Sequence, residues 1–160
     1  MRTDSTEHTG LVLQTKLYSP PLPADLVTRG GLIELLDRER NRPLTLVSAP
    51  AGYGKSVLVA SWLEHNDWSS AWLSLDSDDG DLRSFLNYFV AALHKLYPGV
   101  CEQTLNLLKA SELPTLATLA GVLSNEIDAI EEPFILVLDD LHSFVGTGPL
   151  SGACESVFDR

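Results

Sequence analysis

Between residues 49 and 56 the chain reads Ala49-Pro-Ala-Gly-Tyr-Gly-Lys-Ser56. Gly52 and Gly54 let the backbone curl into positions that a side chain would obstruct, so that several N–H groups converge on one point. Such a nest suits a polyanion, above all a triphosphate. A helix starting at Lys55 would add its unpaired N–H groups and positive dipole end. Lys55 then supplies a point charge for the outer phosphates, and the Ser56 hydroxyl a ligand for Mg2+. The spacing fits the Walker A pattern in its relaxed form, with Ala49 where glycine is commoner. Ala49, Pro50, Ala51, Gly52, Tyr53, Gly54, Lys55 and Ser56 are therefore the expected ATP-binding turn.

A second constellation lies downstream. Phe134-Ile-Leu-Val-Leu-Asp139 is the most apolar window in the chain and ends in an acid. A buried strand that delivers a carboxylate to the magnesium shell has this form, the Walker B pattern, and Asp139 is its metal ligand. Asp140 is read either as the acid that orients an attacking water or as a helix cap or solvated acid, and His142 as a loop histidine. Asp76-Ser-Asp-Asp-Gly-Asp81 lacks the closing glutamate of a calcium loop and reads as a solvated loop ending in a helix cap. Trp62, Trp68 and Trp72 read as core and rim aromatics. His8, His65 and His94 have no partners at metal-ligand spacing.

These residues need elements to hold them. Residues 1–12 form a polar leader, and Pro20, Pro21 and Pro23 keep the next segment extended. Asp25 is placed to cap a helix to about Arg40 with Leu26, Leu32, Leu35 and Leu36 inward. Leu44–Ala49 is expected as a buried parallel strand, followed by the turn and a helix from Lys55 to about His65. Ala71–Leu75 alternates as a second strand. Leu82, Phe85, Leu86, Phe89 and Leu93 recur at helical spacing over 82–97, ahead of Pro98, and Leu116 to Ile130 traces another such stripe. Phe134–Asp139 is then a central strand. Strands alternating with helices imply an α/β fold with right-handed crossovers and a mostly parallel sheet covered on both faces. The glycine-containing tail, 143–160, is expected as loop.

Composition narrows the partners. The 160 residues carry a formal net charge of −11, which opposes contacts to nucleic-acid phosphates or to an anionic membrane surface. The apolar fraction of 44% and charged fraction of 21% are those of a globular domain. No apolar run approaches a membrane span, and the polar N-terminus is not a secretory signal, so a cytoplasmic location is expected. Cys101 and Cys154 are far apart and read as reduced thiols.

Together the motifs are similar to the start of MalT-like regulators. The resemblance is carried by Thr15-Lys-Leu-Tyr-Ser-Pro20, Leu26-Val-Thr-Arg29, Pro43 to Ser56, Ala71-Trp-Leu-Ser-Leu-Asp76 and Phe134 to His142. These regulators are large ATP-dependent transcription factors of the STAND class, usually ending in a LuxR-type helix-turn-helix. The resemblance covers residues 13–142 and implies a P-loop NTPase-type three-layer αβα domain acting as a switch. ATP with an inducer favours an oligomerising active form, and hydrolysis or ADP resets it. It also implies that Asp140 is the hydrolytic acid and that Leu17, Tyr18 and Arg29 lie near the adenine. The family's further strand with a sensor arginine, its later helical domains and its DNA-binding end do not follow residue 142. The chain is thus expected to correspond to an N-terminal piece with an incomplete sheet, prone to self-association, without DNA binding of its own, and at most a slow ATPase. The competing expectations are a small P-loop phosphoryl-transfer enzyme, which would need a basic lid where only Arg160 follows Asp139, and an inert fragment of a regulator.

Overall fold

In a computed structural model, residues 12–141 are described. The expectations for the polar leader, for His142, for Cys154 and for the tail lie outside those residues, except that Val12 is described. The chain divides into two compact units, one combining the segment ending at Tyr18 with the segment from Ala71 onward, the other Ser19–Ser70.

In the first unit, a 3-10 turn at Gln14–Leu17 precedes strand β1 (Ser70–Ser74, whose first residue marks the unit boundary). A second 3-10 turn, Ser77–Asp79, leads into a long helix, Leu82–Leu96. This helix starts where Asp81 accepts a hydrogen bond from the Ser84 amide, and it stops two residues before Pro98. Its apolar stripe at three- and four-residue spacing buries Leu86, Val90 and Leu93. Short helix Glu102–Leu108, helix Leu116–Asp128 and strand β2 (Ile135–Asp139) complete the unit. β1 and β2 form a two-stranded parallel sheet, with the Leu75 amide donating to the Asp139 carbonyl at 3.0 Å. Leu17, Ala71, Leu73, Leu75 and Ala92 form one core cluster, joined by Leu136, Leu138 and Leu141. Behind it, Leu86, Leu108 and Leu119 tie the three helices together.

The second unit contains two helices, Gly30–Arg38 and Lys55–Asn66, packed on each other. Trp62 of the latter is buried, whereas Trp68 sits at a rim with the Arg40 guanidinium 5.0 Å from its ring centroid. We number the helices α1 (Gly30–Arg38), α2 (Lys55–Asn66), α3 (Leu82–Leu96), α4 (Glu102–Leu108) and α5 (Leu116–Asp128).

Four sequence expectations change. The expected strand Leu44–Ala49 has no strand structure. Among the described residues no backbone hydrogen bond reaches 44–48, and Leu44 and Leu46 are 64% and 50% exposed. An apolar run sets a preference for strand, but a ladder partner is what makes it one. Second, β2 is half-buried along its whole length, not a fully covered central strand, because it is one of only two strands in the described sheet. The broad covered sheet is reduced to that pair. Third, α1 begins at Gly30, not at Asp25. The β-branched Val27 and Thr28 resist helix, and the Arg29 carbonyl accepts the first helical bonds from Leu32 and Ile33. Fourth, the acidic loop is not wholly solvated. Asp79 is buried and ion-paired, while Asp81 caps α3 as expected.

Candidate functional site

The turn from Ala49 to Ser56 is assembled by the second unit alone. Gly52 and Gly54 take φ of 81° and 72°, the left-handed region in which a Cβ is strained, so the two glycines occupy positions that need them. A Cβ on Gly52 would meet nothing within 4 Å, and one on Gly54 would meet only the Arg29 guanidinium at 3.8 Å. The glycines are therefore there for backbone conformation. Gly54 is the N-cap of α2 and supplies no side-chain cap, so the first amides of this twelve-residue helix have no side-chain acceptor from that position. The Lys55 ammonium folds over the turn and donates to the carbonyls of Ala49 at 2.9 Å and Pro50 at 3.3 Å. Ser56 follows on the first turn of α2, half-buried. Tyr53 projects outward, 59% exposed.

Beside the turn lies a hollow of about 490 Å³. Leucines 32, 35, 36 and 58 of α1 and α2 wall it, and Arg29, Tyr53 and Lys55 also line it. An apolar chamber with a few convergent polar groups is the usual form of a small-molecule site. The sequence had no signal for the chamber itself, since α1 and Leu44–Ala49 were read as packed core. Arg29, which entered only through the family resemblance, lies next to the glycine turn.

Asp139, Asp140 and Tyr18 belong to the first unit. Asp139 closes β2, and its carboxylate accepts from the Asp140 amide at 3.1 Å. Asp140 is exposed with φ of 55°, a left-handed conformation that an aspartate tolerates. Tyr18 is 60% exposed, with the Lys95 ammonium 3.4 Å from its ring centroid. Burial lowers the pKa of Lys95.

Sequence reasoning missed Lys16. Its ammonium reaches Asp76 Oδ2 at 2.7 Å and both Asp79 carboxylate oxygens at 2.8 and 2.9 Å, at the end of β1. Burial opposes the charge of Lys16, but bonds to the two carboxylates outweigh it and raise its pKa. Pairing across sixty residues or more leaves no local pattern to read.

Among the described residues no group of three or more His, Cys, Asp or Glu is placed to hold a metal ion. A magnesium ion bound with phosphates needs fewer, because it takes one or two protein oxygens, phosphate oxygens and water. One hydroxyl, Ser56, and one carboxylate, Asp139, are of the right chemistry for that limited share. No described helix is long and apolar enough to cross a membrane.

No protein-family model matches the chain. Over 132 residues, 82% of its length, it is 34% identical to the HTH-type transcriptional regulator MalT of Serratia proteamaculans (strain 568). Over the same length it is 32% identical to the regulator of that name from Yersinia pestis (strain Pestoides F) and from Yersinia pseudotuberculosis serotype O:1b (strain IP 31758). The matched stretch is 14% of each relative, so the chain spans a small part of the length of the curated proteins it matches. Over that stretch the chain is homologous to a segment of the MalT regulators.

Proposed function

We propose that this chain is a magnesium–ATP-binding switch module of a MalT-like transcriptional regulator, built on residues 13–142 as a P-loop domain. The observation that carries the reading is the turn of Ala49–Ser56, where two glycines in the left-handed region and a lysine folded over the loop stand at the start of α2. In this reading the amides of residues 51–56 hold the phosphates, and Lys55 exchanges its bonds to the Ala49 and Pro50 carbonyls for the outer phosphate oxygens. Ser56 and Asp139 hold the magnesium ion, which neutralises phosphate charge when bound. Arg29 and the leucine-walled hollow receive the nucleoside, with Tyr18 as a further base contact. Asp140, exposed beyond the strand end, orients water for slow hydrolysis.

Homology to a segment of transcriptional regulators supports the switch role over a phosphoryl-transfer enzyme. Control of transcription, self-association on binding ATP and reset by ADP belong, in this proposal, to a longer parent protein.

Calorimetric titration of magnesium–ATP into the native chain and into Lys55→Ala tests it. Saturable binding by the native chain, weakened at least a hundredfold in Lys55→Ala, is expected. Equal binding by both, or none by either, refutes the phosphate site.

A further inference from the structure

The segment Leu13–Tyr18 is fastened to the first unit at several points. The Leu13 amide donates to the Tyr88 hydroxyl at 3.3 Å, the Leu17 side chain is buried, and the Leu17 carbonyl accepts from Lys95 Nζ. Between them Lys16 stretches over the Tyr88 ring, 4.8 Å from its centroid, to Asp76 and Asp79. Asp79 is 2% exposed, and a carboxylate so deeply placed needs a close cation and hydrogen-bond donors. Lys16 is that cation, and the Asp76 amide, 2.9 Å from Asp79 Oδ2, is a further donor. The Asp79 amide returns a bond to the Asp76 carbonyl at 3.2 Å, closing the turn that ends β1. One residue earlier, Leu75 holds the Asp139 carbonyl. A continuous path of short contacts thus runs from Lys16 through Asp79 and Asp76 to the strand end that carries Asp139.

We infer that Lys16 is a positioning residue, which pins the Asp76–Asp79 turn and through it the backbone of Asp139, tying the segment before Tyr18 to the end of the sheet. Without the Lys16 ammonium Asp79 turns outward to water, the Asp76 amide loses its acceptor, the turn loosens, and the bond from Leu75 to Asp139 opens more often. The inference rests on the reading of Asp139 as a magnesium ligand for its functional consequence, while the mechanical link stands on the contacts alone.

Amide hydrogen exchange on the full 160-residue chain, paired with magnesium–ATP titration, tests it. In Lys16→Met the amides of Leu75 and Asp76 are expected to exchange at least tenfold faster, those of α5 are expected to keep their protection, and affinity for magnesium–ATP is expected to fall at least fivefold. Lys16→Arg, which keeps a cation in place, should recover most of both. Should Lys16→Met fail to fold, Lys16→Met/Asp79→Leu removes the buried charge as well as its partner and must show the same local loosening. Unchanged exchange at Leu75 and Asp76 in the folded variant overturns the link. Faster exchange with unchanged nucleotide affinity overturns the positioning role. No binding by the native chain instead refutes the nucleotide reading, and the role at Asp139 with it, while leaving the exchange result to decide the link.

Discussion

Gly54 and Gly121 are the same residue type under opposite constraints. Gly54 sits at φ of 72°, so Gly54→Ala is expected to cost about 1–2 kcal/mol in backbone strain and to weaken any anion binding at the turn. Gly121 lies inside α5 with nothing within 4 Å of its missing Cβ, so Gly121→Ala should stabilise by about 0.8 kcal/mol. Urea unfolding of both variants checks the two signs. Cys101 offers a second test. Burial, reinforced by the Glu126 charge, pushes its thiol up to about 11, so it stays protonated at neutral pH. Its alkylation by iodoacetamide at pH 8 should be at least tenfold slower in the native than in the unfolded chain. The sign of the linkage follows. A folded thiol that holds its proton more tightly than the unfolded one contributes fully below about pH 8.5, and that contribution is lost as pH rises towards 11. At this scale the sequence was most readable where a residue's role is local. The glycines at 52 and 54 announce a curled backbone by type and spacing. Lys16 and Asp79 meet only after folding, and a solvated acidic loop was the reading their local context allowed.

Helix α3 was legible because three signals agree: the apolar spacing from Leu82 to Leu93, the capping Asp81 and the stop before Pro98. Helix α4 was not. It has seven residues, and Cys101 at its N-cap has φ of 60° and makes no side-chain cap bond. Its cap comes instead from Glu126 on α5, whose carboxylate accepts from the Gln103 amide at 2.8 Å, the Thr104 amide at 3.1 Å and the Thr104 hydroxyl at 2.6 Å. A cap delivered by a residue more than twenty positions away is invisible to local pattern. Glu126→Ala should therefore destabilise by about 2 kcal/mol, since it strands a fully buried hydroxyl and removes charged acceptors from two helix-end amides. Glu126→Gln, which keeps one carbonyl acceptor, should cost about half of that. A loss under about 0.5 kcal/mol for Glu126→Ala in urea unfolding would show the cap to be incidental. Leu44–Ala49 failed as a strand for the complementary reason: composition reports what an edge prefers, and pairing depends on what lies beside it.

At the scale of the molecule, the described residues form two units: the glycine turn and Arg29 lie in one, and Asp139, Asp140 and Tyr18 in the other. The alternation of helix and strand was readable, and a small parallel sheet is present. The sheet's breadth was not readable, because periodicity predicts strands singly and a sheet is a property of their neighbours. The matched stretch is 14% of its relatives' length. A chain that folds as a nucleotide-binding unit has a thermal unfolding midpoint that depends on magnesium–ATP. With ligand at a hundred times its dissociation constant, binding adds about 2.7 kcal/mol, which for a chain of this size raises the midpoint by roughly 5–10 °C. That rise is expected for the native chain and its loss in Lys55→Ala. A native midpoint indifferent to magnesium–ATP, or an equal rise in the variant, refutes nucleotide binding at the glycine turn.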